Sequence, residues 1–168
     1  DLPVSQLRNE NAACRAWIKA AEQAGLPANA DFNGHSTYGV GAYHLSIGKR
    51  LRASAATAFL RPALKRANLK LITNALVSRV EFEKGRATGV TWTTNEKSYG
   101  AKAKREIILC AGSVQSPQIL QLSGIGPASV LKEQGISVIV DSPEVGENLQ
   151  DHYQIRLLLK LTQKISLN

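Results

Sequence analysis

Apolar and polar positions along this chain keep two different periods, and the switch between them divides it into elements. Over residues 5–24, Ala13, Trp17, Ala20, Ala21 and Ala24 recur on one helical face, and Gly25 with Pro27 supplies a stop, so a helix is expected there. Residues 29–52 are rich in Gly, Asn, Ser and Tyr, a composition of ordered loop. Ser54 is placed to cap a short helix over AATAFL, which Pro62 ends or kinks. From residue 68 to 94 the apolar positions alternate, and Lys84, Gly85 and Arg86 form a turn signal between two strands. The run SYGAKAKREIILCAG (98–112) begins alternating and ends continuously apolar at 107–110. It predicts a strand with one end at a sheet rim and the other buried.

That buried strand stops at Ala111-Gly112, and a helix is expected to start at Ser116-Pro117, with Ser116 as N-cap, and to end at Gly124. Strand, glycine turn and helix N-terminus are what α/β proteins use to bring backbone against a phosphate-bearing cofactor. Gly126-Pro127 opens a further helix, ASVLKEQ, closed by Gly135. ISVIV (136–140) reads as a strand, Asp141-Ser142-Pro143 as a turn, EVGENLQDH as irregular, and QIRLLLKLTQKI as a final strand. A buried strand needs neighbours on both sides, and the chain offers few candidates. The expectation is therefore a segment cut from a larger protein, which an N-terminus without Met also suggests.

Composition narrows the class. The 168 residues are 43% hydrophobic, and the mean hydropathy of -0.15 fits a globular protein rather than a disordered one. No apolar run reaches the length of a membrane span, and no signal peptide is visible at the N-terminus. Cys110, at the inner end of the expected buried strand, reads as a reduced packing residue. The balance of 21 basic to 13 acidic side chains leaves +8. Its small clusters, Lys49-Arg50-Arg52 and Lys102-Lys104-Arg105, have no aromatic residues interleaved, as a nucleic-acid platform requires. Solvated faces explain the charge better, and a basic nucleic-acid-binding module is the weaker alternative. His35 and His44 lack an acidic or Cys partner at ligand spacing, so no metal site is expected. Neither a Gly-x-Ser-x-Gly elbow nor a P-loop is present.

Four blocks carry more specific information: DFNG (31–34) with YGVGAYHLSI after it, residues 52–90, AGSVQSPQILQLSGIG (111–126) and VGENLQDH (145–152). In this order they resemble the glucose–methanol–choline (GMC) oxidoreductases, a family of flavin enzymes, and most closely its choline-dehydrogenase-like bacterial members. The resemblance covers nearly the whole chain. It implies an α/β fold (an α+β fragment) made of part of an FAD-binding α/β domain and part of an antiparallel-sheet substrate domain. Residues 1–60 would be a substrate-domain or loop portion, 61–152 a portion of the FAD-binding domain, and 153–168 the start of a substrate-domain strand.

Further implications concern FAD, an alcohol substrate oxidised at its CH–OH group by hydride transfer to flavin, and oxygen or a quinone as electron acceptor. A flavin-containing lyase of the hydroxynitrile-lyase kind is the alternative within the family. The family's Gly-x-Gly-x-x-Gly fingerprint is absent, and its catalytic His pair (or His and Asn) is expected beyond Asn168. The segment alone is expected to be inactive, and His35, His44 and His152 do not match those catalytic positions. The resemblance marks Val77 as a backbone partner of the flavin's adenine and Ala111 and Gly112 as the turn passing the cofactor. Asn148, Asp151 and His152 would be a hydrogen-bonding strut beneath it. Arg52 and Ser54 would be tethers between the domains. A cytoplasmic location is expected, with membrane association open for the parent protein.

Overall fold

The computed structural model describes residues 1–7, 11–156 and positions 158, 160 and 162. Two compact units divide the chain, Asp1–Leu71 with Arg156–Asn168, and Ile72–Ile155. Helices and small sheets are mixed, in agreement with the expected class.

In the first unit the expected helix at 5–24 is shorter. Helix α1 is Ala12–Gln23, started by the Asn11 side chain accepting from the Ala13 N–H at 2.7 Å. Ser5 cannot belong to it, because it exchanges both backbone hydrogen bonds with Leu45 (2.9 and 2.8 Å). At the other end Gly25 is left-handed (φ +95°) and the Leu26 N–H returns to the Ala21 carbonyl at 3.1 Å, which closes the helix in a Schellman turn.

The loop that follows is ordered by its own polar groups. Asn29 Nδ2 donates to the Ser36 and Tyr38 carbonyls, and the Phe32 and Tyr43 rings meet at 4.8 Å. Strands β1 (Ile47–Gly48) and β2 (Leu51–Arg52) form a minimal hairpin. Ser54 and Thr57 then cap one another, the Thr57 N–H donating to Ser54 Oγ at 3.2 Å and the Ser54 N–H to Thr57 Oγ1 at 2.8 Å. The helix they start is one wide π turn, Ala56–Leu60, running into α2, Arg61–Ala63, so Pro62 lies inside the last turn.

The second unit holds the core. Strands β3 (Leu76–Glu83), β4 (Arg86–Thr94) and β5 (Lys97–Lys102) form an antiparallel meander. Both connections are two-residue turns with left-handed central residues, Lys84-Gly85 (φ 50° and 77°) and Asn95-Glu96 (φ 47° and 63°), the geometry that matches strand twist. Val80 faces Val90, and Val90 faces Ala101, while Val77 faces Trp92, which stacks on Tyr99. Helix α3 (Gly112–Leu122) packs on β3. Val80 (4% exposed), Ile119 (8%) and Leu131 (1%) of helix α4 (Ala128–Glu133) are the buried hydrophobic residues among those described. Between sheet and helix, buried Ser123 Oγ accepts the Val80 N–H at 2.8 Å and donates to the Ile119 carbonyl. Strands β6 (Ile125–Gly126) and β7 (Val140–Asp141) pair in parallel, and α4 makes the crossover between them.

Four sequence expectations are corrected here. Residues 107–110 form no strand ladder, with Ile108 74% exposed and Cys110 free and exposed, because after Lys102 no described strand runs beside them. Helix α3 begins at Gly112, not at Ser116-Pro117, and Ser116 Oγ reaches back to accept the Ala111 N–H at 3.1 Å. The strand expected at 136–140 shrinks to Val140–Asp141, since β6 offers two residues to pair with. Finally, half of the strand expected in QIRLLLKLTQKI lies outside the described residues, and 154–156 carry no pairing. No helix among the described residues is long and apolar enough to cross a membrane.

Candidate functional site

Helix α3 organises the site because both of its flanks face hollows. On one flank lies a hollow of about 500 Å³ walled by Ala75, Val77, Ala111, Gln115, Gln118 and Ile119. Val77 stands half-buried near the start of β3, just before the register slips between Val77 and Arg79 and leaves Ser78 outside the ladder. The structure thus brings Val77 and Ala111, 34 positions apart, onto one mostly apolar surface.

The other flank opens on a hollow of about 510 Å³ between Ser113, Pro117 and Gln118 of α3 and the run 146–150, which includes Asn148. Asn148 is left-handed (φ 56°), and its Nδ2 donates to Glu144 Oε2 at 3.2 Å. Gln118 lines both hollows. At the head of α3, Gly112 has φ +86°, and a Cβ built there would meet nothing within 4 Å, so the backbone is approachable. No side chain caps the first turn, which carries no acidic residue. Its free N–H groups and the helix dipole favour an anion. An apolar slot beside an uncapped helix start fits a ligand that joins a flat ring to a phosphate group.

Asp151 and His152 line neither hollow. Both are exposed, and Asp151 Oδ1 accepts the backbone N–H of His152 at 2.7 Å, so the two side chains do not form an acid–base pair. In the first unit His44 Nδ1 lies 3.6 Å from Asp31 Oδ1, an acidic partner that the linear spacing of the histidines concealed. Among the described residues no three His, Cys, Asp or Glu side chains are grouped to hold a metal. The sequence reading passed over Gln115, Gln118 and Gln121. Their three-residue spacing along the helix was the available signal.

A sequence model of the family described as GMC oxidoreductase matches residues 1–154. The chain is 44% identical over 167 residues to mitochondrial choline dehydrogenase of Homo sapiens, covering 99% of the chain and 28% of that protein. It is 43% identical over 158 residues to oxygen-dependent choline dehydrogenase of Photobacterium profundum, covering 94% and 28%. Among solved structures, pyridoxine 4-oxidase from Mesorbium loti superposes with a TM-score of 0.84 at 35% identity, over 90% of this chain and 30% of that one. An FAD-dependent oxidoreductase from Chaetomium thermophilum gives 0.85 at 35% identity, over 89% and 26%. The chain therefore spans about 28% of the length of the relatives it matches.

Proposed function

Because the chain belongs to the GMC oxidoreductase family, we propose that it forms part of an FAD-dependent enzyme that oxidises the CH–OH group of an alcohol. The observation that carries this reading is the uncapped start of α3, set between an apolar slot containing Val77 and a hollow walled by Asn148. Those features suit a flavin adenine dinucleotide, which joins an adenine ring to a pyrophosphate. In this reading the backbone at Val77 pairs with the adenine, and Ala111 and Gly112 let the main chain come close to the pyrophosphate. The first-turn N–H groups of α3 neutralise part of its charge. Asn148 faces the nucleotide directly, and Asp151 and His152 stand beyond it as a hydrogen-bonding strut.

Bound FAD supplies the two-electron acceptor for the oxidation. No residue of this chain is assigned to take the hydroxyl proton, and no turnover is assigned to residues 1–168 alone. Residues 61–152 would belong to the flavin domain, with 1–60 and 153–168 contributing to the substrate domain. Choline is the first alcohol to test, since two relatives at 44% and 43% identity are named for it. Oxygen, in the name of one of them, is the first electron acceptor to test, and a quinone the second.

The test is purification of the full-length polypeptide that carries this chain, followed by flavin spectroscopy and turnover. Bound FAD that bleaches on addition of choline or another alcohol, with reduction of oxygen or a dye, is expected. Retained FAD without alcohol-driven bleaching moves the reading to the lyase class. A colourless protein that takes up no FAD overturns it.

A further inference from the structure

Gln121 sits in the last turn of α3, wedged between two glycines and a loop. Its Nε2 donates to the Val145 carbonyl at 2.9 Å. A Cβ added to Gly146 would come within 2.8 Å of that Nε2, and one added to Gly126 within 2.9 Å of the Gln121 Cγ. Gly146 is itself left-handed (φ +96°), so the loop turns where the amide grips it. The start of the same loop is tied elsewhere. The Ser142 N–H donates to the Gly126 carbonyl at 2.9 Å, and Asp141 Oδ1 accepts the Ala128 N–H at 2.9 Å. Farther along, among the described residues and Gln121 apart, the turn is held by its own bonds, Val145 N–H to Ser142 O, Glu147 N–H to Glu144 O and the Asn148–Glu144 side-chain bond. Gln121 is what reaches from α3 to that part, and it also lines the hollow that α3 and the loop enclose.

We propose that Gln121 is a positioning residue for the cofactor: its amide sets the separation of α3 from residues 146–150 and so holds Asn148 against the nucleotide. This rests on the FAD reading above. Chemistry, not volume alone, decides the residue type. Methionine would fill a similar space with no donor for the Val145 carbonyl, and an ionised glutamate would set negative charge against it.

In the full-length flavoprotein, Gln121→Met is expected to weaken FAD binding about fivefold to tenfold, the effect of one lost hydrogen bond that orders a loop. Amide exchange at 145–150 should quicken, and circular dichroism of the apoprotein should show that it still folds. Gln121→Glu separates grip from packing. A carboxyl protonated below its pKa donates as the amide does, and ionised above it cannot. Partial burial against a carbonyl raises that pKa above the usual ~4.3. FAD affinity of Gln121→Glu, relative to the unsubstituted protein at each pH, should therefore recover as pH falls.

A Gln121→Met protein with unchanged FAD affinity and unchanged exchange overturns the proposal, and so does a Gln121→Glu deficit equal at every pH. Asn148→Ala tells this failure from that of the underlying reading. If Asn148→Ala loosens FAD and Gln121→Met does not, only the role of Gln121 falls. Should neither alter FAD binding while Gln121→Met speeds exchange at 145–150, the loop is clamped but does not wall a cofactor site, and both assignments fall together.

Discussion

Ser123 shows how much one small side chain can fix. Its hydroxyl is buried, accepts the Val80 N–H at 2.8 Å and donates to the Ile119 carbonyl, so it joins β3 to α3. Ser123→Ala should leave a buried N–H without a partner and cost about 1–3 kcal/mol, read from the denaturant midpoint of the apoprotein. Such residues set the limit of what sequence reveals. The turn at Ala111-Gly112 was legible because a glycine after an apolar run is a local signal. Ser116 was misread because its hydroxyl bonds backward to Ala111, where the same Ser-Pro pair elsewhere would cap a helix forward. The glutamine spacing flags Gln121 but not its partner, which lies 24 positions along the chain.

At the scale of elements, periodicity found the strands that had partners and overstated those that lacked them. The β3–β4 hairpin was read from alternation and the Lys84-Gly85 turn, and both stand in the structure. The runs at 107–110 and 136–140 have the composition of strands, but a ladder needs a second chain segment of matching length. The first has none among the described residues, and the second meets only Ile125–Gly126. The second hairpin turn, Asn95-Glu96, carries a cost the sequence does not advertise: Glu96 is held at φ 63°. Glu96→Gly should relieve that conformation by more than the added freedom of the unfolded chain takes back. A net gain of about 0.5 kcal/mol is expected, visible as a small rise in thermal midpoint.

Across the whole molecule the balance of surfaces is unusual. Only Val80, Ile119 and Leu131 are buried hydrophobic residues among those described, while Ile108, Tyr153 and Leu149 stand open to solvent. The chain spans about 28% of the length of its relatives, so the covering of these residues by further polypeptide is the natural consequence of the proposed role. Residues 1–168 produced alone should bind an apolar dye and self-associate, as light scattering would report, whereas the full-length flavoprotein should do neither. An isolated segment that stays monomeric and dark would mean that its exposed apolar residues need no cover.

The contact of Gln121 with both Gly126 and Gly146 has a consequence for descent. A methyl group at Gly126 is admissible only after position 121 has shifted or become smaller, and a smaller residue there releases the loop, whereas one at Gly146 is strained by the left-handed backbone whatever stands at 121. Positions 121 and 126 therefore cannot drift independently, so a lineage that gains a side chain at 126 must pass through a loosened ancestor or change both together.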